Sequence, residues 1–287
     1  MLFKIIVGVI VVSANVATRR EHNPLRVYKG EADSGNEFPF VVLFQKKKPP
    51  YFRVCTGSLI TETLVLTASH CLTVPNVRQC IIRYGDFTVP GNETKLYSKI
   101  IKAFVPRSVK EFRRIIDIGI ALVKKIPNPR AKLLALDYKT LYGLPAKYAG
   151  FGRITDLGVK PDRNEGYNLS SVPLQVGEGI IVPCTNGVIP VYTVCVASKC
   201  SKRWQATRKG DSGGPLVYNG RIVGVVRGAT YGPTVSYTFS LVSSYLEWIQ
   251  GVMRFTVTNK NNNNKKLFTV AKKKYSNEQR QKITQAQ

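Results

Sequence analysis

The chain has 287 residues, of which 43 are Lys or Arg and 17 are Asp or Glu, for a formal net charge of +26. With 44% apolar and 10% aromatic residues it can bury a core, which excludes an intrinsically disordered protein as the main description. Its only histidines are His22 and His70, which argues against a multi-histidine metal site, and no pattern indicates a cofactor or metal. The charge predicts affinity for anionic polymers or surfaces but says nothing about the fold.

The positive charge is spread along the whole chain. Residues 1–26 carry four Lys or Arg against one Glu, and residues 251–287 carry nine against one. A net charge of +15 therefore remains for residues 27–250, so the body of the protein is basic on its own. Binding to a polyanion and simple solubility are both open as the role of this charge.

Residues 1–17 have the features of a secretory signal peptide. Lys4 precedes an apolar run at 5–12, and small residues follow at Ser13 and Ala14, with Ala17 as a second cleavage position. The run is shorter than the roughly 20 residues that span a bilayer, and no later run reaches that length, so we expect no transmembrane segment. We expect a secreted, extracellular protein.

The six cysteines agree with an extracellular location. Under oxidising conditions they favour disulfides over metal ligands, and the sequence contains no CxxC pair. Two sequons, at Asn92 and Asn168, predict a glycoprotein.

The next part of the chain, residues 27–240, alternates short apolar runs with Gly, Pro and Asn. The runs at 40–44, 64–66 and 222–226 are typical of an all-β sandwich or barrel. One helix is predicted over residues 241–249, where Leu241, Tyr245, Trp248 and Ile249 share one face, with Ser243 or Ser244 as a candidate cap. From residue 251 to 287 the sequence is polar and basic, and we expect a disordered tail there.

Three segments carry the residues for nucleophilic catalysis. Ser212 lies in a Gly-Asp-Ser-Gly-Gly run, where glycines let the backbone N–H groups face a developing oxyanion, although the run alone could be a structural turn. His70 is the histidine that could act as its base, and a lone histidine is often a surface residue. Asp117 lies inside an apolar run, so it either has a partner such as an imidazole or lies at a strand edge in water.

In the order His–Asp–Ser, these segments resemble the trypsin/chymotrypsin family of serine endopeptidases. Ala-Gly-Phe-Gly at 149–152 and the sequence at 245–249 are also similar to that family, and the likeness runs from residue 26 to 249. It implies an all-β protease domain over 27–250. Its two six-stranded antiparallel β-barrels would cover about 27–130 and 131–240, followed by a C-terminal helix.

The resemblance also implies a hydrolase mechanism on protein substrates without a cofactor. Ser212 would be the nucleophile, His70 the general base and Asp117 the residue that orients His70. The N–H groups of Gly210 and Ser212 would form the oxyanion hole.

Activation and disulfides follow from the same resemblance. A short propeptide, residues 18–26, would be cut between Arg26 and Val27 by a trypsin-like activating protease, and the new amine of Val27 would pair with Asp211. Cys55 would pair with Cys71, and Cys184 with Cys195. The two extra cysteines, Cys80 and Cys200, either pair with each other or stay free.

The sequence departs from the family around the primary specificity pocket. The pocket floor falls at Ala206, beside Thr207, and Arg208 stands where the family often has a cysteine. Arg227 occupies the place of a serine that usually bonds the triad carboxylate. We expect no preference for Arg or Lys substrates; an apolar residue is favoured, or an acidic one if Arg208 or Arg227 faces the pocket. The alternative is a weakly active or inactive homolog that binds polyanions or proteins.

Overall fold

The computed structural model describes residues 27, 30–48, 51–106, 116–152, 173–184, 192–198, 205–230 and 236–261. The strands, in chain order, are β1 (Glu31–Ala32), β2 (Val41–Lys46), β3 (Arg53–Thr61), β4 (Leu64–Thr67), β5 (Cys80–Arg83), β6 (Tyr97–Phe104), β7 (Gly119–Val123), β8 (Lys132–Leu133), β9 (Pro145–Gly150), β10 (Gln175–Val182), β11 (Thr193–Ser198), β12 (Pro215–Tyr218), β13 (Arg221–Thr230) and β14 (Ser236–Leu241). The helices are α1 (Val74–Gln79) and α2 (Leu246–Asn261), and 3-10 turns lie at Ser69–Leu72, Tyr138–Leu141 and Ser243–Tyr245. Neither of these helices combines the length and the apolar character that crossing a bilayer requires.

Strands β2 to β7 form the first barrel, closed in the order β2-β3-β4-β7-β6-β5. Every neighbouring pair is antiparallel, and the ring closes where β2 pairs with β5, with Leu43 opposite Arg83. Residues 41–44 of β2 are all buried, which is what their unbroken apolar run predicts. The core of this barrel continues beneath the last helix through Tyr245 and Ile249.

The second barrel is closed by β9, β10, β11, β14, β13 and β12, with β12 pairing back to β9. Side chains of β10 alternate between buried and half-buried positions, the period of a strand with one face in a core. Strands β1 and β8 add to β10 and β13 outside the ring. The predicted fold of two six-stranded antiparallel barrels with a C-terminal helix is confirmed.

Val27 and strand β1, at the beginning of the described residues, belong to the second barrel, whereas the approximate predicted boundaries put them in the first. Strand β1 pairs with Gln175 and Val176, and Val27 is buried in the second core. The reason lies in β10: β11 pairs only with Gly179–Val182, so the edge of β10 before Gly179 is left for β1.

Helix α2 extends past the predicted start of the disordered tail at residue 251. Val252 is buried, and the ring of Phe255 lies 6.0 Å from that of Phe104 on β6. Three-residue spacing puts Val252 and Phe255 on one helical face, so packing on the first barrel stabilises this turn as helix. The rest of the predicted tail, the predicted signal peptide and propeptide, Asn168 and Cys200 lie outside the described residues.

Among the described residues there are two disulfides, and both match the pairs that the resemblance implied. Cys55 is bonded to Cys71, and Cys184 to Cys195. Cys80 is a buried free thiol, and burial, opposed by the charges of nearby lysines, raises its pKa to about 11.

Candidate active site

His70 lies in the 3-10 turn Ser69–Leu72 that follows β4. The disulfide from Cys55 on β3 to Cys71 ties this turn to the wall of the first barrel. Cys71 is buried, whereas 47% of the His70 side chain is exposed. The turn therefore fixes the backbone while the imidazole remains accessible to a substrate.

Asp117, just before β7, is buried and surrounded by hydrogen-bond donors. Its Oδ2 lies 2.8 Å from Nδ1 of His70. Its Oδ1 accepts from the backbone N–H of His70 and from the hydroxyl of Ser69, both at 3.0 Å. From the second barrel, Ser240 donates to the Asp117 carbonyl oxygen at 2.8 Å. The donors from His70 and Ser69 supply the partners that a buried carboxylate needs.

The pKa of Asp117 reflects two opposing effects. Burial by itself would raise the pKa of the carboxyl, but hydrogen bonds and charge attraction from His70, with a further bond from Ser69, lower it below its ordinary value. Asp117 is therefore an ionised acceptor at neutral pH. Because a carboxylate only accepts, Nδ1 of His70 is the donor and Nε2 is available to take a proton.

Ser212 follows a tight turn over residues 208–211. The backbone N–H of Asp211 donates to the Arg208 carbonyl at 3.0 Å, and Gly210 has φ of +104°. A positive φ at the third residue of such a turn is the type II geometry, which favours glycine. Ser212 itself is half-buried.

The first barrel contacts Ser212 directly. The Ser212 carbonyl oxygen accepts a 2.8 Å hydrogen bond from the backbone N–H of Thr56 and lies 3.6 Å from Sγ of Cys71. Cys71 is the residue after His70. The structure thus brings the Ser212 loop beside the His70 turn, at the junction of the two barrels.

Asp211, fully buried beside Ser212, is held by backbone donors. The N–H of Gly152 donates to its Oδ1 at 2.6 Å, and the N–H of Arg208 donates to its Oδ2 at 2.7 Å. A Cβ on Gly152 would lie 2.3 Å from the Asp211 carboxylate, so only glycine fits there. Asp211 thereby fixes the turn that carries Gly210.

Thr56 is a site residue that the sequence analysis missed. Its hydroxyl donates to the Gly210 carbonyl at 2.8 Å and accepts from the N–H of Phe151 at 3.1 Å. Ser69 and Ser240, which hold Asp117, were also missed. Ser69 is the one that could have been found, because it adjoins His70; a threonine or serine within a strand gives no comparable indication.

Of the residues predicted for activation, the structure describes Val27 and Asp211. Arg26 is outside the described residues. Val27 is fully buried in the core of the second barrel and has φ of +44°, which a β-branched residue rarely adopts.

The predicted pocket residues are largely buried. Ala206 is 1% and Thr207 5% exposed. Arg227 is half-buried at an irregularity in β13, where the pairing with β14 shifts between Val226 and Gly228. Burial lowers the pKa of the Arg227 guanidinium, and attraction to the Asp117 carboxylate opposes that shift. Arg227 thus lies within electrostatic reach of Asp117, whereas the pKa of Asp117 itself is set by burial, His70 and Ser69.

Comparisons with known proteins agree with this architecture. The trypsin family model matches residues 27–249. Chymotrypsin-2 of Vespa crabro is 29% identical over 224 residues, covering 75% of this chain and 94% of that protein. Brachyurin of Leptuca pugilator is 29% identical over 219 residues, covering 68% of this chain and 86% of that protein.

A solved structure shares the fold. The crystal structure of the scabies mite inactivated protease paralogue S-I1 superposes with a TM-score of 0.60 at 20% identity, covering 78% of this chain and 98% of that one. The family match spans both barrels and most of the sequence. The chain belongs to the trypsin family of serine endopeptidases.

Proposed function

We propose that the chain is a secreted serine endopeptidase that hydrolyses peptide bonds through His70, Asp117 and Ser212. The observation that carries this proposal is the 2.8 Å contact between Nδ1 of His70 and the buried carboxylate of Asp117. That contact orients the ring, selects the tautomer with Nε2 as base, and stabilises the imidazolium that forms during catalysis.

The proposed reaction proceeds in two halves. Ser212 Oγ attacks the scissile carbonyl carbon while Nε2 of His70 takes the hydroxyl proton, and the same proton then passes to the leaving amine. A water molecule that gives a proton to His70 then attacks the acyl carbon, and the proton passes to Ser212 Oγ as the bond to the acid product breaks. The N–H groups of Gly210 and Ser212 receive the oxyanion, and the fixed turn over 208–211 supports that role.

Activation by cleavage between Arg26 and Val27 is the second part of the proposal. Cleavage by a trypsin-like protease frees the amine of Val27, and pairing of this amine with Asp211 would order the oxyanion turn. Val27 and Asp211 are both fully buried, and a buried charge requires a partner. Arg26→Gln should leave the secreted protein inert; an active Arg26→Gln protein would reject this step.

Substrates and location complete the proposal. A neutral Ala206 at the pocket floor offers no partner for a cationic side chain, so we expect protein substrates without a preference for Arg or Lys. The signal-like residues 1–17 and the two disulfides support an extracellular location. Asn92 is exposed and is the glycan site within the described residues.

A second function is favoured by one observation. The half-buried guanidinium of Arg227 and the Asp117 carboxylate attract each other, and this attraction would weaken the hold of Asp117 on His70. A homolog weakened in this way would act as a binding module for anionic polymers or proteins.

Covalent labelling separates the two functions. The full chain, cleaved after Arg26, is treated with a small fluorophosphonate, which reacts only with an activated serine. We expect one label on Ser212, absent in Ser212→Ala and in His70→Ala and retained in Ser34→Ala, an exposed serine. An unlabelled wild-type protein with an intact fold would favour the binding module.

A further inference from the structure

The outer face of β6 concentrates exposed apolar side chains. Seven large apolar or aromatic side chains are exposed in the part of the chain that the structure describes. Four of these lie in or beside β6, with 44% to 59% of each residue exposed: Leu96, Tyr97, Ile101 and Val105. A single exposed apolar residue is ordinary, whereas such a concentration on one strand indicates a surface that contacts something other than water.

A bulge in β6 accounts for the most exposed of the four. The pairing of β6 with β7 shifts between Ile100 and Lys102, which leaves Ile101 as an extra residue with none opposite it on β7. Isoleucine is among the residue types most often buried, yet Ile101 is 59% exposed. The bulge thus holds an apolar side chain on the outside of the first barrel.

Lysines are interleaved with these apolar residues. Lys95, Lys99 and Lys102 are exposed on the same segment, and residues 94–105 contain no Asp or Glu. From the end of β7, the N–H of Lys124 donates to the Lys99 carbonyl at 3.4 Å, which adds a fourth exposed lysine beside the strand. Like charges gathered on one face create a positive potential that attracts anionic groups.

The lysine nearest to α2 lies over aromatic surface. Nζ of Lys102 is 5.2 Å from the centroid of the Phe104 ring and 5.7 Å from that of Phe255 on α2. A lysine in this position covers apolar surface with its methylene stem and keeps its charged end toward the solvent. The sequence that follows α2, residues 262–287, carries seven more Lys or Arg against one Glu.

This mixture fits a lipid surface better than another macromolecule. The core of a protein–protein interface is depleted in lysine, and two copies of this face would bring like charges together. A sulfated polysaccharide would pair with the lysines but would leave the apolar side chains in water. At a bilayer, lysines remain at the level of the phosphates while apolar side chains enter the boundary with the acyl chains.

The exposed residues of this segment are together called the β6 surface: Leu96, Tyr97, Lys99, Ile101, Lys102 and Val105. We propose that the β6 surface docks the protein on membranes that contain anionic phospholipids. Each lysine near such a membrane strengthens binding by about fivefold. Burial of an isoleucine side chain strengthens it by about tenfold or more. Docking of this kind goes beyond the proposed function and does not depend on it.

The first test measures co-sedimentation of the full chain with vesicles at physiological ionic strength. We expect binding to vesicles of phosphatidylserine and phosphatidylcholine in about equal amounts, and binding at least about tenfold weaker to phosphatidylcholine alone. Ile101→Ser should weaken binding to the anionic vesicles by about tenfold. Leu136→Ser, the matched control at a leucine of similar exposure between β8 and β9, should leave it unchanged.

Three results would overturn the proposal: no binding of the wild type, equal binding to the two kinds of vesicle, or equal binding by Ile101→Ser and Leu136→Ser. Heparin separates lipid from polysaccharide. Because heparin has no acyl chains, Ile101→Ser should elute from it at the same salt concentration as the wild type. A clear fall in that concentration would mean that Ile101 serves polyanion binding, against the proposal.

A charge-matched pair of variants separates the β6 surface from the net charge. Lys99→Gln combined with Lys102→Gln should weaken binding to the anionic vesicles by about 25-fold. Lys132→Gln combined with Lys139→Gln removes the same charge from exposed positions elsewhere and should weaken binding clearly less. Equal losses in the two double variants would overturn the proposal, because any basic surface would then serve.

Fluorescence reports the contact itself. In Tyr97→Trp, the new indole should be quenched by brominated phosphatidylcholine included in the anionic vesicles, since docked side chains lie about 5–10 Å into the boundary with the acyl chains. Leu136→Trp is the control and should not be quenched, with both signals taken relative to the wild type and its Trp204 and Trp248. Tyr97→Trp protein that sediments with the vesicles without quenching would overturn the proposal.

None of these measurements uses catalysis. The outcome is therefore the same whether or not Ser212 reacts with the fluorophosphonate, and the two proposals fail separately. The substituted side chains are all exposed, and circular dichroism checks the fold of each variant. Should Ile101→Ser lose its fold, the paired lysine variants and the Tyr97→Trp probe decide.

Discussion

The carboxylate of Asp117 holds His70 at two points. One oxygen lies 2.8 Å from Nδ1 of the ring, and the other accepts the backbone N–H of the same residue at 3.0 Å. The imidazole is half exposed, so its direction depends on this buried carboxylate. Ser69 adds a third bond to the same carboxylate.

Replacing the anchor by its neutral isostere should nearly abolish activity. In Asp117→Asn the amide can donate to Nδ1 and stabilise the wrong tautomer of His70, and losses of about 10⁴-fold in kcat are expected for a triad of this kind. Ser69→Ala, which removes one of three donors, should cost about 10-fold or less. Fluorophosphonate labelling rates measure both. If Asp117→Asn stays within about tenfold of the wild type, Asp117 does not orient the base.

The same residue should make stability depend on pH. The pKa of Asp117 is lower in the folded than in the unfolded chain, so between these values the unfolded chain binds more protons and stability rises with pH. The contribution is complete above the ordinary pKa of 3.8 and is lost as pH falls through the folded value. The difference in unfolding free energy between wild type and Asp117→Asn should therefore be flat above about pH 5 and shrink below about pH 4. Urea titrations at several pH values test this, and a constant difference throughout would contradict it.

Arg227 should weaken the hold of Asp117 on His70. Its guanidinium and the Asp117 carboxylate attract each other. Arg227→Ser, which removes this charge, should therefore raise the fluorophosphonate labelling rate at neutral pH. Arg221→Ser, an exposed arginine at the far end of the same strand, is the matched control and should leave the labelling rate unchanged. An unchanged rate in Arg227→Ser would show that the guanidinium does not act on the Asp117–His70 pair.

Thr56 should matter for both stability and rate. Thr56→Val keeps the side-chain shape but leaves the Gly210 carbonyl and the Phe151 N–H without their partner, at about 1–3 kcal/mol for each unpaired group. Because Gly210 belongs to the oxyanion turn, the labelling rate should fall as well. In Thr193→Val the lost hydroxyl makes no hydrogen bond among the described residues, so stability should change little. Equal stability losses in the two variants would mean that the Thr56 bonds do not hold the turn.

Thr56 also shows where sequence reasoning reaches its limit. The apolar runs predicted strands such as β2 because a strand covered on both faces must be continuously apolar, and His70 and Asp117 stood out against their neighbours. The hydroxyl of Thr56 acts on Gly210, which is 154 residues away, and Phe255 packs on Phe104 from the far end of the chain. Such contacts depend on how segments distant in the sequence pack together in the fold. No local sequence pattern predicts the contacts of a threonine within a strand or of a phenylalanine near a polar tail.

The predicted affinity of the basic surface for anionic polymers can be tested with heparin. Lys99 and Lys102 on β6 and Lys124 after β7 are exposed, β6 carries no acidic residue, and the Lys124 N–H bonds the Lys99 carbonyl at 3.4 Å. We expect retention on heparin that falls steeply with salt, since the screening length is about 8 Å at physiological ionic strength. Ending the chain at Asn261 keeps α2 and removes seven of the basic residues, so the eluting salt concentration should drop.

Lys99, Lys102 and Lys124, here called the lysine row, can be distinguished from the overall charge by a charge-matched pair of variants. Changing Lys99, Lys102 and Lys124 to Gln removes three charges from one face of the first barrel, where neighbouring cations reinforce each other's potential. Changing the exposed Lys132, Lys139 and Arg221 to Gln removes three charges elsewhere. If the row is a binding site, the first triple variant should elute at clearly lower salt than the second. Equal elution of the two variants would mean that heparin responds to net charge alone, and no retention of the full chain beyond that of a neutral protein would remove polyanion binding altogether.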